Sequence, residues 1–159
     1  MVWSCLVSIL PGMAQTEKLT DYVNPFVGTD GYGNVYPGAQ IPFGGIQISP
    51  DTDSRFYDAA SGYKYNHLTL MGFSLTHLSG TGIPDLGDFL FIPGTGEMKL
   101  EPGTHEDPDQ GHRSRYSHDK EWASPNYYAV ELADYGVKAE MTSGVRSGMF
   151  RFTYPESDN

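Results

Sequence analysis

Within residues 72–88, Gly72-Phe73-Ser74-Leu75-Thr76-His77-Leu78-Ser79-Gly80-Thr81-Gly82 is followed closely by Asp85-Leu86-Gly87-Asp88. One imidazole, two carboxylates and several hydroxyls sit among apolar residues, and the glycines let backbone approach closely. A histidine that donates and an aspartate that accepts, beside an aromatic ring, are what recognition of a sugar's hydroxyls requires. On this reading His77 donates to a ligand hydroxyl in a pocket opened by Gly80 and Gly82, and Asp85 accepts from another. A buried strand histidine satisfied by backbone is the plainer alternative, and the residues alone leave both open. Tyr57, Tyr63 and Tyr65 supply candidate rings, although each also suits sheet packing. Two-carboxylate glycoside hydrolysis by inversion needs an acid and a base about 6.5–9.5 Å apart. Asp85 and Asp88, three residues apart, are not assigned to that geometry.

Other chemistries fail on spacing. Gly31-Tyr32-Gly33-Asn34-Val35-Tyr36 starts like a dinucleotide loop, but no helix pattern follows it and Pro37 and Pro42 would break one. There is no phosphate loop and no nucleophile elbow. Asp51-Thr52-Asp53-Ser54-Arg55-Phe56 puts Arg55 at a ligand position of a calcium loop and Phe56 at its turn glycine. His105, His112 and His118 lack close ligand spacing and read as scattered surface histidines rather than a zinc site.

The elements that would position these residues are β-strands. Turn signals recur throughout, including Asn24-Pro25, Asp30-Gly31, Pro37-Gly38, Pro93-Gly94, Pro102-Gly103 and Tyr135-Gly136, while helix signals are scarce. Short β-segments with this punctuation predict an all-β, antiparallel β-sandwich or barrel. Strands are expected at 44–49, 62–65, 68–75 and 89–92, the last apolar on both faces and therefore central. Alternation in 127–132 and 137–141 around a turn at 134–136 predicts a hairpin. Phe150, Phe152 and Tyr154 alternate with Arg151 and Thr153 in a further strand. The polar stretch 101–124 reads as a long exposed loop.

The 159 residues allow one domain with a core. A formal charge of −10 lacks the basic footprint that a nucleic-acid partner needs, so none is expected. The single cysteine, Cys5, lies in an apolar run at 2–10 that ends in small residues at Gly12 and Ala14. Residues 1–14 read as a signal peptide without a basic n-region, with lipid attachment at Cys5 as the alternative. The run is too short for a transmembrane segment, which needs about 20 apolar residues. A strand followed by the turn-like Pro155-Glu156-Ser157-Asp158-Asn159 reads as a chain cut from something longer.

Many ordered stretches resemble the N-terminal domain of glycoside hydrolase family 92, the calcium-dependent exo-acting α-mannosidases. They are Tyr22-Val23-Asn24-Pro25-Phe26-Val27-Gly28-Thr29-Asp30-Gly31, Tyr36-Pro37-Gly38-Ala39, Pro42-Phe43-Gly44 and Gln47-Ile48-Ser49-Pro50-Asp51-Thr52. Ser61-Gly62-Tyr63, the 72–88 stretch, Ser117-His118 and Ala123-Ser124-Pro125-Asn126-Tyr127-Tyr128 continue the series. The resemblance implies an N-terminal β-sandwich over 19–159, incomplete at its C-terminal end, that packs against a helical catalytic domain and contributes walls to a pocket for a mannose-containing glycan. It implies inversion and calcium, with the catalytic groups and most calcium ligands outside this chain, so that the chain alone is expected to be inactive and to hold no metal. Loops 28–38, 55–62 and 76–88 would reach the substrate, which places Asp30, Tyr57, Asp58, His77, Ser79 and Asp85 as substrate-binding residues. The family usually carries a tryptophan in the second loop, where this chain has Phe56, Tyr57 and Asp58. A frequent cysteine is Ala60 here, and Leu75 stands where many members have histidine. The implied location is secreted or periplasmic. A free-standing lectin-like module without catalysis is the rival reading, discriminated by what the coding sequence holds beyond Asn159.

Overall fold

Residues 17–53, 57–85 and 87–157 are described by a computed structural model, the side chain of Asp58 excepted. The expected signal peptide at 1–14 and Cys5 therefore lie outside the described residues.

The fold is all-β. Among the described residues ten short strands form two four-stranded antiparallel sheets and a two-stranded ribbon, and the only helical segments are single 3-10 turns. In the first sheet β1 (Ala39–Gln40), β2 (Gln47–Asp51), β4 (Gly72–Ser74) and β5 (Leu90–Phe91) lie in that order. The ribbon pairs β3 (Thr69–Leu70) with β6 (Ser114–Arg115). The second sheet is a meander of β7 (Glu121–Ser124), β8 (Tyr127–Leu132), β9 (Val137–Ser143) and β10 (Gly148–Thr153).

The meander forms where the alternation is cleanest. Leu132 faces Val137, Val130 faces Ala139 and Tyr128 faces Met141, so one face of the hairpin carries only buried side chains. In β10 Phe150 and Phe152 turn toward that core while Met149 and Arg151 face outward. The two large sheets share one core: Ala39, Ile48 and Phe73 of the first cluster with Tyr128, Val130, Leu132, Val137, Ala139 and Met141 of the second. The two-residue β1 ends before it would reach Pro50, which has no amide proton to offer a neighbour.

Several expectations need correction. Residues 62–65 form no strand, and the apolar stretch at 68–75 is split, with β3 in the ribbon and β4 in the first sheet. Met71 sits at the break, where its amide donates to the Asp51 carbonyl at 2.7 Å. The run at 89–92 is an edge strand rather than a central one, and Leu90 and Phe91 are each 42% exposed. The polar stretch 101–124 is not a loose exposed loop, because it enters the ribbon as β6 and the meander as β7 and buries Arg113, Ser114, Tyr116 and Glu121.

Candidate functional site

Strands β2 and β4 and the loops that leave them build the site. Asp51 is the last residue of β2 and Ser74 the last of β4, and the antiparallel register sets Asp51 opposite Gly72 and Ser49 opposite Ser74, so that Asp51 and Ser74 are diagonal neighbours across the pair. The chain then turns back so that His77 inserts beneath them, almost fully buried. Its Nδ1–H donates to the Gln47 carbonyl at 2.8 Å, while Nε2 lies 2.9 Å from Asp51 Oδ1 and 3.0 Å from Ser74 Oγ. Burial opposes a charge on this imidazole. The Asp51 carboxylate and the Gln47 carbonyl outweigh that cost, so its pKa is raised above the ordinary 6.5.

The trio of Ser74, His77 and Asp51 is not a nucleophilic triad. Such a relay uses one ring nitrogen for the hydroxyl and the other for the carboxylate. Here both partners crowd Nε2, and Nδ1 is committed to the backbone. Both ring nitrogens thus serve the protein, and His77 acts by holding Asp51 in place.

A cavity of about 110 Å³ opens beside this group, lined by Asp51, Ser61, Gly62, Ser74, His77 and Asp85 among others. Asp51 Oδ2 is buried with no hydrogen-bond partner among the described residues. Gly62 makes this arrangement possible. Its φ of +88° is a left-handed conformation, and a Cβ there would fall on Asp51 Oδ1 and crowd the His77 ring. Ser61 Oγ donates to the Val35 carbonyl at 3.1 Å, and the Tyr36 ring lies 5.1 Å from His77. Burial pushes the Tyr36 phenol up to about 12. The amide of Gly80 donates to the Asn34 carbonyl at 2.6 Å, so the loops at 28–38 and 76–88 are joined directly.

The six expected site residues fall into four groups. His77 and Asp85 line the cavity together. Tyr57, which does not line the cavity, is 64% exposed, and its ring lies on the backbone of Gly82, where any Cβ would enter the ring. Asp30 and Ser79 are exposed on the adjoining turns, Asp30 accepting from the Gly31 amide at 2.7 Å. The Asp58 side chain lies outside the described residues. What sequence reasoning missed is Asp51, together with Gln47 and Ser74. In the sequence Asp51 stands in a rejected calcium loop and in one of the stretches that carry the resemblance, and neither points to its partner His77, 26 residues away.

The histidines expected at the surface are tied into the fold. His105 Nδ1 lies 2.9 Å from Thr69 Oγ1 and its ring packs 4.0 Å from that of His67. His112 Nε2 is buried. His118 stacks on Tyr65 at 3.9 Å, donates to its carbonyl through Nε2 and reaches Glu121 Oε2 through Nδ1 at 2.6 Å. No group of three or more His, Cys, Asp or Glu side chains among the described residues converges to hold a metal ion. Nor is any helix among them long and apolar enough to cross a membrane.

Residues 22–159 match the sequence model of the glycosyl hydrolase family 92 N-terminal domain. An uncharacterized secreted glycosidase of Arthroderma benhamiae is 30% identical over 139 residues, which make up 86% of this chain and 17% of the relative. A solved family 92 α-mannosidase from Bacteroides thetaiotaomicron, in complex with mannoimidazole, is 99% identical with a TM-score of 0.87; the match covers 90% of this chain and 19% of that one. A second solved family 92 glycosyl hydrolase is 33% identical with a TM-score of 0.71, covering 86% of this chain and 19% of that one. The chain therefore spans less than a fifth of the length of these relatives.

Proposed function

The chain belongs to the glycosyl hydrolase family 92 N-terminal domain family, and from that premise we propose that it is the substrate-contacting domain of a glycoside hydrolase that releases terminal α-linked mannose. The observation that carries this reading is the 99% identity, over nine tenths of the chain, to a solved α-mannosidase. Two of the three expected loops, 55–62 and 76–88, line one cavity, and the third is hydrogen-bonded to both of them, which supports it.

In this reading 19–159 is a β-sandwich that forms one wall of a bipartite pocket for a mannose-containing glycan, and a helical domain forms the other. Tyr57 offers a ring face to the apolar C–H side of a pyranose. Asp85 and Asp30 accept from its hydroxyls, with Ser79 and Asp58 alongside them. His77 holds Asp51 so that its second oxygen is available at the cavity. General acid and base belong to the helical domain, which performs the hydrolysis with inversion. Calcium, which the family resemblance implies, finds no convergent ligand set among the described residues. None of them is assigned to it, and most of its ligands belong to the remainder of the parent. Secretion, with 1–14 as the leader, agrees with the secreted relative.

The test compares the isolated chain with the same chain continuous with the rest of such a mannosidase. The isolated chain should leave an aryl α-mannoside intact, and the longer protein should cleave it and lose activity on calcium chelation. Substituting Tyr57 or Asp58 by alanine in the longer protein should raise KM. Turnover by the isolated chain, or indifference of the longer protein to both substitutions, would overturn the reading.

A further inference from the structure

We propose that the cavity beside Asp51 is a socket for an arginine side chain from the part of the parent mannosidase outside this chain, and that this contact latches the two parts together. The proposal rests on the mannosidase reading above and names what meets the second oxygen of Asp51.

The cavity is built around an unanswered acceptor. Asp51 is 5% exposed, its Oδ1 lies 2.9 Å from His77 Nε2, and its Oδ2 has no partner among the described residues. A buried carboxylate oxygen in that state costs stability until a donor reaches it. The lining adds further acceptors. Ser61 Oγ already donates its proton to the Val35 carbonyl at 3.1 Å, and Asp85 brings a second carboxylate from an exposed turn. Two carboxylates thus share the cavity with one imidazole, and no lysine or arginine is among the described lining residues.

Size and charge select the occupant. A volume of about 110 Å³ is well below the roughly 300–1,000 Å³ of sites that enclose a small molecule, so the end of a side chain fits and a whole pyranose does not. Ala60 and Met71, both buried, and the half-exposed Leu90 form an apolar wall beside the acceptors. A cationic head on a methylene stem matches both kinds of wall. Arginine suits a buried ion pair better than lysine, because the guanidinium is always charged, is weakly hydrated and presents several donors to a carboxylate at once. The source follows from the lengths. This chain covers 19% of the solved α-mannosidase it matches, so most of such a parent lies outside it. An arginine seated here would also order Asp85, a carboxylate that the reading above offers to the glycan.

The experiment uses a full-length family 92 mannosidase that carries this domain. Its arginines are modified with phenylglyoxal and mapped by peptide mass spectrometry in the unsubstituted protein, in Asp51→Asn and in Asp85→Asn, each with and without mannoimidazole. One arginine outside residues 1–159 should be shielded in the unsubstituted protein whether or not mannoimidazole is bound. Its modification rate should rise roughly tenfold in Asp51→Asn, as expected for loss of a charge-assisted hydrogen bond, and by less in Asp85→Asn. Should Asp51→Asn fail to fold, the exposed Asp85 carries the test. The proposal is overturned if neither substitution releases an arginine, or if the one released lies within residues 1–159. It is also overturned if that arginine is shielded only when mannoimidazole is bound, which would make the cavity part of the sugar site. None of these outcomes is read from turnover, so a full-length protein that cleaves no α-mannoside would count against the mannosidase reading alone.

Discussion

Glu121 and Asp51 are both carboxylates sealed inside the fold, and the fold treats them in opposite ways. Glu121 accepts from the Tyr63 and Tyr128 hydroxyls and from His118, so both of its oxygens are engaged. Burial, with the nearby negative charge of Glu121 contributing, drives the Tyr63 and Tyr128 phenols far above their ordinary range, so they stay protonated as donors. Asp51 has one oxygen on His77 and the other without a partner among the described residues, beside a cavity. A buried charge with every lone pair engaged is a structural fastening, whereas one with an unengaged oxygen is a place where a ligand's donor gains energy. The difference separates the core of the meander from the loops at the end of the first sheet.

The largest effect that could break this contrast is at Glu121. Replacement by leucine leaves the two buried phenols and the partly exposed His118 without their acceptor and should cost about 3–5 kcal/mol, read as a lower midpoint of urea unfolding. A loss below about 1 kcal/mol would remove its fastening role.

At Asp51 the expectation is milder, because an asparagine can keep its oxygen toward His77 and turn its amide to the side that lacks a partner. Asp51→Asn should cost about 1 kcal/mol. The pH dependence sharpens the point. The folded state raises the His77 pKa, so it holds that proton more tightly than the unfolded chain does. The resulting stability is full below about pH 6.5 and is lost as pH rises through the folded value. Unfolding midpoints should therefore fall on the alkaline side in the unsubstituted chain. That fall should flatten in Asp51→Asn, and an unchanged slope would detach His77 from Asp51.

The smallest effect is expected where a carboxylate at the sheet face is paired with an exposed partner. Arg151 grips both Glu140 oxygens, and with Tyr127 it lowers the Glu140 pKa from 4.5 to about 2. Its contribution is present above the unfolded value and lost as pH falls toward 2. Because the arginine is largely exposed, Arg151→Met should lower the urea midpoint at neutral pH by less than Asp51→Asn does, and should weaken the acid-side dependence.

Legibility in the sequence followed the range of the interactions. The hairpin of β8 and β9 was readable because period-2 alternation and a short turn are local, and β10 was readable for the same reason. The run at 89–92 misled because apolarity on both faces reports what a strand can bury, and β5 lies at an edge with those faces half in solvent. The stretch 101–124 misled because Arg113 and Glu121 look like solvent residues until Thr52, Tyr63 and Tyr128 are brought to them. His77 and Asp85 were readable as a pair from their spacing, whereas Asp51 was not, since its partner lies 26 residues away.

The order of short motifs along the chain sufficed for the family, and the density of turn residues for the all-β class, since both are properties of adjacent positions. Which buried charges are satisfied and which oxygen faces a cavity were decided only in the tertiary structure. Desolvation of a charge is offset by groups from distant strands, and strand pairing alone brings those groups within hydrogen-bonding distance.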